Sequence, residues 1–405
     1  MRVALRAAFI LFFAGRALAF DFDDFIDRVD DSLRYNALDD RLRVRVSGLL
    51  DLEGYYFSDP APGLIDTDAH KLFNPRLSLF LDAQGGSVFY FFSQVRVDRG
   101  FDPGDHGLRV GLDEYALRIT PWKDGLLNLQ IGKFATVAGT WVERHLSWDN
   151  PFLNAPLPYE NVTSASDFEL SLPHSPLDPV TQKNKYEYIP LIWGPSYTTG
   201  FSLAGTVAKK LTYALELKNA SLSSRPEVWD LTRRDFSHPT VTGHLSYQPD
   251  PRWKFGATAS QGPFLTDAVE RILPRGKSED DYQQRVLGQD ISFAWHHWQI
   301  WAEVFETRFE IPHFGNADSV TYYFEVKYKF SPQVSAAVRW NQAFFSRNPT
   351  RISSGRTWSR DISRFEAAVT RRLTSNAQIK LQYSFQDEAR LGLSHSIGTQ
   401  FTLRF

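Results

Sequence analysis

The chain has 405 residues, of which 42% are hydrophobic, 15% aromatic and 23% charged, and it contains no cysteine. It is too apolar and too aromatic to be disordered, and it has neither a disulfide framework nor a Cys-based metal site. Its formal charge of −2 argues against a nucleic-acid binder, which carries a basic excess, and a mean hydropathy of −0.33 argues against a helical membrane protein.

The first element is a targeting segment. Arg2 and Arg6 precede the apolar stretch Ala7–Gly15, and Ala17-Leu18-Ala19 offers a small-residue cleavage site. This pattern reads as a secretory signal peptide over residues 1–19. Its removal takes away three Arg and no acid, so the mature chain is more acidic. No later run approaches the roughly 20 apolar residues of a membrane helix. The chain is therefore expected to be exported and not held by a helix.

Residues 20–40 form the second element. Phe22, Phe25, Ile26, Val29 and Leu33 recur at helical spacing among Asp21, Asp23, Asp24, Asp27, Asp30 and Asp31. The spacing predicts an acidic amphipathic helix over Phe20–Leu38. Alone it is too short to be stable in water, so it must pack on the rest of the chain or on another copy.

From Arg41 the hydrophobic period changes to two. Tyr322, Phe324, Val326, Tyr328 and Phe330 alternate with Tyr323, Glu325, Lys327 and Lys329, and Ile397, Thr399, Phe401, Leu403 and Phe405 alternate with Gly398, Gln400, Thr402 and Arg404. Sixteen such runs are predicted as strands. They cover 41–56, 75–83, 87–98, 109–120, 126–134, 199–208, 211–219, 239–247, 253–261, 288–296, 299–309, 319–330, 334–345, 362–371, 376–386 and 395–405. Their connections alternate between short and long. Short ones include AQGG, PWKDG, KK, HW and LTSN, and long ones start at Ser58, Arg99, Ala135, Ala220, Gln261, Glu310, Ser346 and Asp387.

Loops sorted by end are the mark of an outer-membrane barrel, with short periplasmic turns and long extracellular loops. Lipid leaves no room for an open sheet edge, so the sheet must close. Trp122, Trp253, Trp295 and Trp298 fall at short-turn ends, where an aromatic girdle meets the membrane interface. The expected fold class is all-β: a closed antiparallel transmembrane β-barrel of about 16 strands with a short N-terminal helix. Outer-membrane lipid and lipopolysaccharide would then be its surroundings. The final strand closing in Phe405 resembles the signature of bacterial outer-membrane proteins, which the barrel-assembly machinery reads. A secreted sandwich is the competing fold, and nothing in a sandwich sorts loops by length.

Sixteen strands enclose an aqueous channel. On the period-two register, twelve basic and seven acidic side chains point inward. Arg96, Arg118 and Arg339 are expected on the mid-barrel wall, with Glu114, Lys327, Arg364 and Glu366 among its other lining groups and Arg144 on a loop. The third long connection, about 135–198, contains WVERHLSWDNPFLNAPLPYENVT from Trp141 to Thr163. It is aromatic and proline-rich and should be ordered.

The segment Ile131-Gly132-Lys133-Phe134 before this loop, with Gly139 inside it, resembles the strand-end motif of the phosphate-selective porins (porin O/P family) and related sixteen-stranded porins. That resemblance implies a third loop folded into the lumen as a constriction, and a homotrimer. Arg144 and His145 stand beside Glu143 and Asp149, so no basic ladder for phosphate is evident in the loop. The expected function is a porin passing small hydrophilic solutes with weak anion preference, with no catalysis, cofactor or metal. The alternative is a barrel with a lipolytic, scaffold or conduit role. For a lipolytic role, Ser394-His395-Ser396 is the nearest nucleophile and base. His296-His297 falls at a short turn and reads as interfacial, because adjacent strand residues point to opposite faces.

Overall fold

The computed structural model describes residues 19–59, 61–98, 108–122, 125–168, 185–347 and 357–405. Most of the expected signal peptide lies outside the described residues. The order is helix α1 (Ala19–Ser32), then strands β1 (Arg34–Ala37), β2 (Leu42–Phe57), β3 (Lys71–Gly85), β4 (Phe89–Asp98), β5 (Arg109–Ile119), β6 (Asn128–Phe134), β7 (Thr198–Val207) and β8 (Leu211–Lys218). There follow β9 (Thr240–Asp250), β10 (Trp253–Pro263), β11 (Gln283–Trp295), β12 (Trp298–Ile311), β13 (Gly315–Lys329), β14 (Val334–Phe345), β15 (Ile362–Arg372), β16 (Ala377–Glu388) and β17 (Gly392–Arg404).

Strands β2 to β17 form a closed antiparallel barrel in which each pairs with its sequence neighbours. The seam is β17 against β2, from Ser396↔Phe57 to Arg404↔Leu49. Phe405 continues it by exchanging main-chain hydrogen bonds of 2.9 and 3.1 Å with Gly48. Strand β1 pairs with Leu42–Arg45 of β2, below the point where β17 ends. All sixteen expected strands are present, and β1 is the addition. It is four residues of mixed polarity, too short to show a period.

The alternation sorts side chains by face. On β13 and β14, Val320, Phe324, Val338, Trp340 and Phe344 stand exposed on the outer surface, while Thr321, Tyr323, Glu325, Arg339 and Asn341 are buried inside. Trp122, Trp295 and Trp298 are exposed at the short-turn end. Trp253 packs at the same end on Phe255 and Phe293. The His296–His297 turn joins β11 to β12, with His296 at a φ of 50°.

Two expected long loops are tight turns instead. Residues 312–314 join β12 to β13, and residues 389–391 join β16 to β17. The strands run on past the apolar band on polar pairs such as Arg308 with Asp318 at 2.6 Å, and polar residues of that kind read as loop in the sequence. Left-handed backbone at His313, Gly315, Arg390 and Gly392 closes the turns.

The N-terminal helix is also shorter than its periodicity predicts. It stops at Ser32 because Arg34–Ala37 finds main-chain partners on the free edge of β2. Leu38, Asp39 and Asp40 then turn back in left-handed conformation. The helix touches the barrel's short-turn end. Asp30 pairs with Arg45 at 3.1 Å, and Asp27 accepts a 3.1 Å hydrogen bond from the Asn376 amide. Ile26 is buried and Phe25 is exposed.

Candidate functional site

The connection between β6 and β7 runs through the inside of the barrel. It passes close to the β12 wall at Gly139, where φ is +74° and an added Cβ would stand 2.7 Å from the Glu303 carboxylate. Inward-facing side chains of the wall then take up the loop's main chain one after another. Glu303 accepts from Thr140 N at 2.7 Å, Thr140 Oγ1 at 2.6 Å, Trp141 N at 2.7 Å and the Tyr159 hydroxyl. Gln382 accepts from Leu153 N at 2.6 Å, and Asn341 accepts from Leu157 N at 3.2 Å. Arg339 donates to Asn154 O at 2.8 Å and pairs with Glu366 at 2.6 Å. Lys380 donates to Asn150 O at 2.7 Å and also to Ser147 O. Arg364 pairs with Glu160 of the loop. Buried polar groups left unbonded would cost about 1–3 kcal/mol each, so this set fixes the loop against β12 to β16.

Apolar packing completes the seal. Trp141, Tyr159 and Ile192 pack with Phe305 and Tyr323. Toward the long-loop end Leu64, Trp193, Tyr197, Trp229 and Phe264 belong to a second cluster. Lys185 joins the third loop to the first by donating to Ala61 O at 2.6 Å and Ile65 O at 2.7 Å, and burial pushes its amine down to about 7.

Space remains on the opposite side. Between the loop and the β2–β4 wall lies a cavity of about 170 Å³, with Asp51, Arg76, Ser78, Gln94 and Arg96 on the barrel side and Trp141, His145, Trp193 and Tyr197 on the loop side. A second space of about 320 Å³, lined by Asp82, Tyr90, Glu114 and Arg118, shares Gln94 and Leu146 with it. The two adjoin there and run along one wall.

That wall carries its charges in compact groups. Arg76 lies 3.3 Å from Asp51 and 2.6 Å from Glu53. Arg96 lies 2.5 Å from Asp98 and 2.6 Å from Asp113. Arg118 donates to Gln130 Oε1 at 3.0 and 2.9 Å and lies over the Tyr90 ring. Glu114 accepts from Ala135 N at 2.8 Å. On the loop side, His145 is held between Val142 O and the Tyr197 hydroxyl, each at 2.6 Å. The carbonyl can only accept, so Nδ1 donates to it, and burial pushes the group below its ordinary value.

The eight residues singled out from sequence therefore divide. Arg96 lines the cavity, and Arg118 and Glu114 line the space adjoining it. Arg339, Arg364 and Glu366 are buried behind the third loop. Arg144 is on that loop but turns to the wall, pairing with Glu325 at 2.6 Å with its guanidinium 4.2 Å from the Trp301 ring. Lys327 is half-buried near the short-turn end of β13.

The sequence count of inward charges is corrected here: it missed four carboxylates, and also Lys254, which pairs with Glu143 of the third loop at 3.1 Å, and Arg372, which lies over Trp148 of that loop. Asp51 and Glu53 share the inward parity of Arg43 and Arg45 and are buried inside. Asp290 faces in toward His244 at 3.0 Å. Asp113 sits at a register break between β4 and β5, where Gln94 pairs with Glu114 and Val95 with Leu112. A strict period of two cannot place both Asp113 and Glu114 inside; the bulge does.

The Ser394–His395 pair is not arranged for nucleophilic chemistry. Ser394 faces inward, while His395 is exposed and bonded to the Tyr383 hydroxyl at 2.7 Å.

Among known structures the chain resembles several bacterial outer-membrane proteins. The outer membrane channel DcaP of Acinetobacter baumannii matches at 10% identity with a TM-score of 0.57, covering 92% of this chain and 99% of that one. The anion-selective porin from Comamonas acidovorans matches at 8% identity with a TM-score of 0.56, covering 90% and 100%. OmpT of Vibrio cholerae, in its trimer form, matches at 9% identity with a TM-score of 0.56, covering 90% and 100%.

The fold is a porin-like barrel. At these identities the likeness is one of fold. No protein-family model matches the chain, and no curated protein matches it significantly.

Proposed function

We propose that the protein is an outer-membrane porin, a passive diffusion channel for small hydrophilic solutes that catalyses no reaction and uses no cofactor. The observation that carries this reading is the run of adjoining spaces, lined by charged and aromatic side chains, inside a closed barrel whose outer surface is apolar and girdled by Trp. The third loop acts as the constriction and restricts passage to small molecules. Export through the signal peptide, insertion by the barrel-assembly machinery and contact with lipopolysaccharide follow from the same reading. Kinship with the phosphate-selective porins rests on the Ile131–Phe134 segment and Gly139. The weak anion preference expected from sequence rests on a smaller basic excess once Asp51, Glu53, Asp113 and Asp290 are counted together with Lys254 and Arg372.

Purified protein in a planar bilayer should give stable, stepwise ion conductance. A silent bilayer accompanied by lipid hydrolysis would replace the porin with the lipolytic alternative.

Assembly as a homotrimer is part of the proposal, with α1 and its exposed Phe25 as a contact element at the short-turn end. Deleting residues 20–32 should lower the oligomeric mass measured by light scattering while leaving a heat-modifiable barrel. An unchanged oligomer with larger conductance would make the helix a plug instead.

A further inference from the structure

We infer that Lys327, Lys329, Arg372 and Arg404 form a binding site for small polycarboxylate anions at the short-turn mouth of the lumen. The inference rests on the porin reading and adds to it a place where a solute is held.

The four residues share one face and one end of the barrel. Lys327 and Lys329 follow Tyr323 and Glu325 at inward parity on β13, Arg372 follows Arg364 and Glu366 on β15, and Arg404 follows Gln400 and Thr402 on β17. Trp148 of the third loop draws two of them together. The Arg404 guanidinium lies 4.3 Å and that of Arg372 5.6 Å from the centre of its ring. Lys329 and Arg372 are in turn the charged neighbours of Lys327 along this arc. Lys329, Arg372 and Arg404 are exposed and Lys327 is half-buried, so a solute in the mouth can reach them.

What sets them apart is the lack of a partner. Elsewhere in the lumen Arg76, Arg96, Arg144, Lys218, Arg339 and Arg364 each hold a carboxylate. Among the described residues the four at the mouth have no ion pair and no side-chain hydrogen bond. The acids around them are already engaged, with one exception. Glu325 beside Lys327 is held by Arg144, Asp30 of α1 by Arg34 and Arg45, and Asp27 by Asn376. Asp149 of the third loop, exposed beside Arg404, is the exception. Four cations face one uncommitted carboxylate.

Like charges gathered in this way repel one another, and an anion entering among them relieves the repulsion. Rings of Arg and Lys select anions in a water-filled passage, and guanidinium edges bond carboxylate oxygens in pairs. At about 4 Å in water one unit of charge favours contact about fivefold, and two units on the same counting about 25-fold. Chloride gains the first factor only. From β13 to β17 is four strand spacings, about 19 Å along the wall. Salt screens over about 8 Å, so a compact anion at one end of the arc does not feel the other. An anion with carboxylates spread along a short chain meets more of the four at once.

The test is block of the KCl conductance by citrate, with acetate at equal ionic strength as the monovalent probe and inorganic phosphate as the compact one. Citrate should block wild-type channels at a concentration at least about tenfold below that of acetate, and phosphate should fall between them. Arg372→Gln combined with Arg404→Gln should raise the half-blocking concentration of citrate about 25-fold, and Lys329→Gln alone about fivefold. Lys210→Gln, at the β7–β8 turn of the same end, should leave it unchanged. Heat-modifiable migration shows whether each variant is folded, and the exposed Lys329 serves if the double variant is not. Conducting channels that citrate and acetate block alike would overturn the inference and leave the porin reading standing. So would tighter block by phosphate than by citrate, or citrate block that folded variants leave unmoved. A silent bilayer would overturn the porin reading, and the inference with it.

Discussion

Replacing Glu303 with alanine should raise the single-channel conductance severalfold and make the open level noisy. Four donors converge on this carboxylate, three of them from Thr140 and Trp141 at the point where the third loop enters the lumen. Removing their acceptor leaves each of them buried and unbonded at about 1–3 kcal/mol. Thr258 Oγ1 still accepts from Gly139 N at 3.2 Å, one bond against the four lost. The loop should lift from β12, and the lumen should move toward the width of an unobstructed sixteen-strand channel. The barrel itself should persist, since its ladders are main-chain hydrogen bonds that do not use Glu303. Glu303→Gln keeps an acceptor and should change conductance less. A heat-modifiable Glu303→Ala barrel with wild-type conductance would show that the loop is held elsewhere.

Closing the barrel should depend comparably on Phe405. Its ring lies on Gly48, where an added Cβ would stand 2.5 Å from the ring, and its main chain completes the β17–β2 seam. Phe405 is half-buried; fully burying a Phe side chain is worth about 1.5–3 kcal/mol, so about half of that applies here, or about fivefold in a folding equilibrium. Deleting Phe405, or changing Gly48 to leucine, should each lower the heat-modifiable fraction by about that factor. Gly48→Leu is the sharper test, because it leaves the terminal residue in place and attacks only its seat. Normal folding of both variants would remove the seam from the account.

The strands were legible because the outer surface of a barrel admits few exceptions: Phe324, Val338 and Trp340 each announce their face. The turns at residues 312–314 and 389–391 were not, because Arg308, Asp318 and Glu388 belong to strand that has risen beyond the apolar band, where period two no longer separates apolar from polar. The candidate site was legible only in part. Inward parity found Arg96 and Arg118, and the same parity would have found Asp51 and Glu53. Asp113 depended on a bulge. The fate of Arg339 and Arg364 depended on partners far away in sequence, Asn154 and Glu160, and no local pattern encodes those. Parity tells which side of the sheet a charge is on. It does not tell whether water or protein waits there.

The uneven filling of the barrel divides its tolerance to substitution. Along β12 to β16 an inward residue is a structural fastener: a change at Arg339, Gln382 or Lys380 strands a partner on the loop and is paid for in folding. Along β2 to β5 the inward residues border the spaces beside the loop and bond mainly to one another. Exchanges there, at Ser78 or Arg118, alter what the passage admits while leaving the loop's attachments untouched. Such a barrel can acquire new solute preferences by drift on one wall, with the opposite wall holding its shape constant.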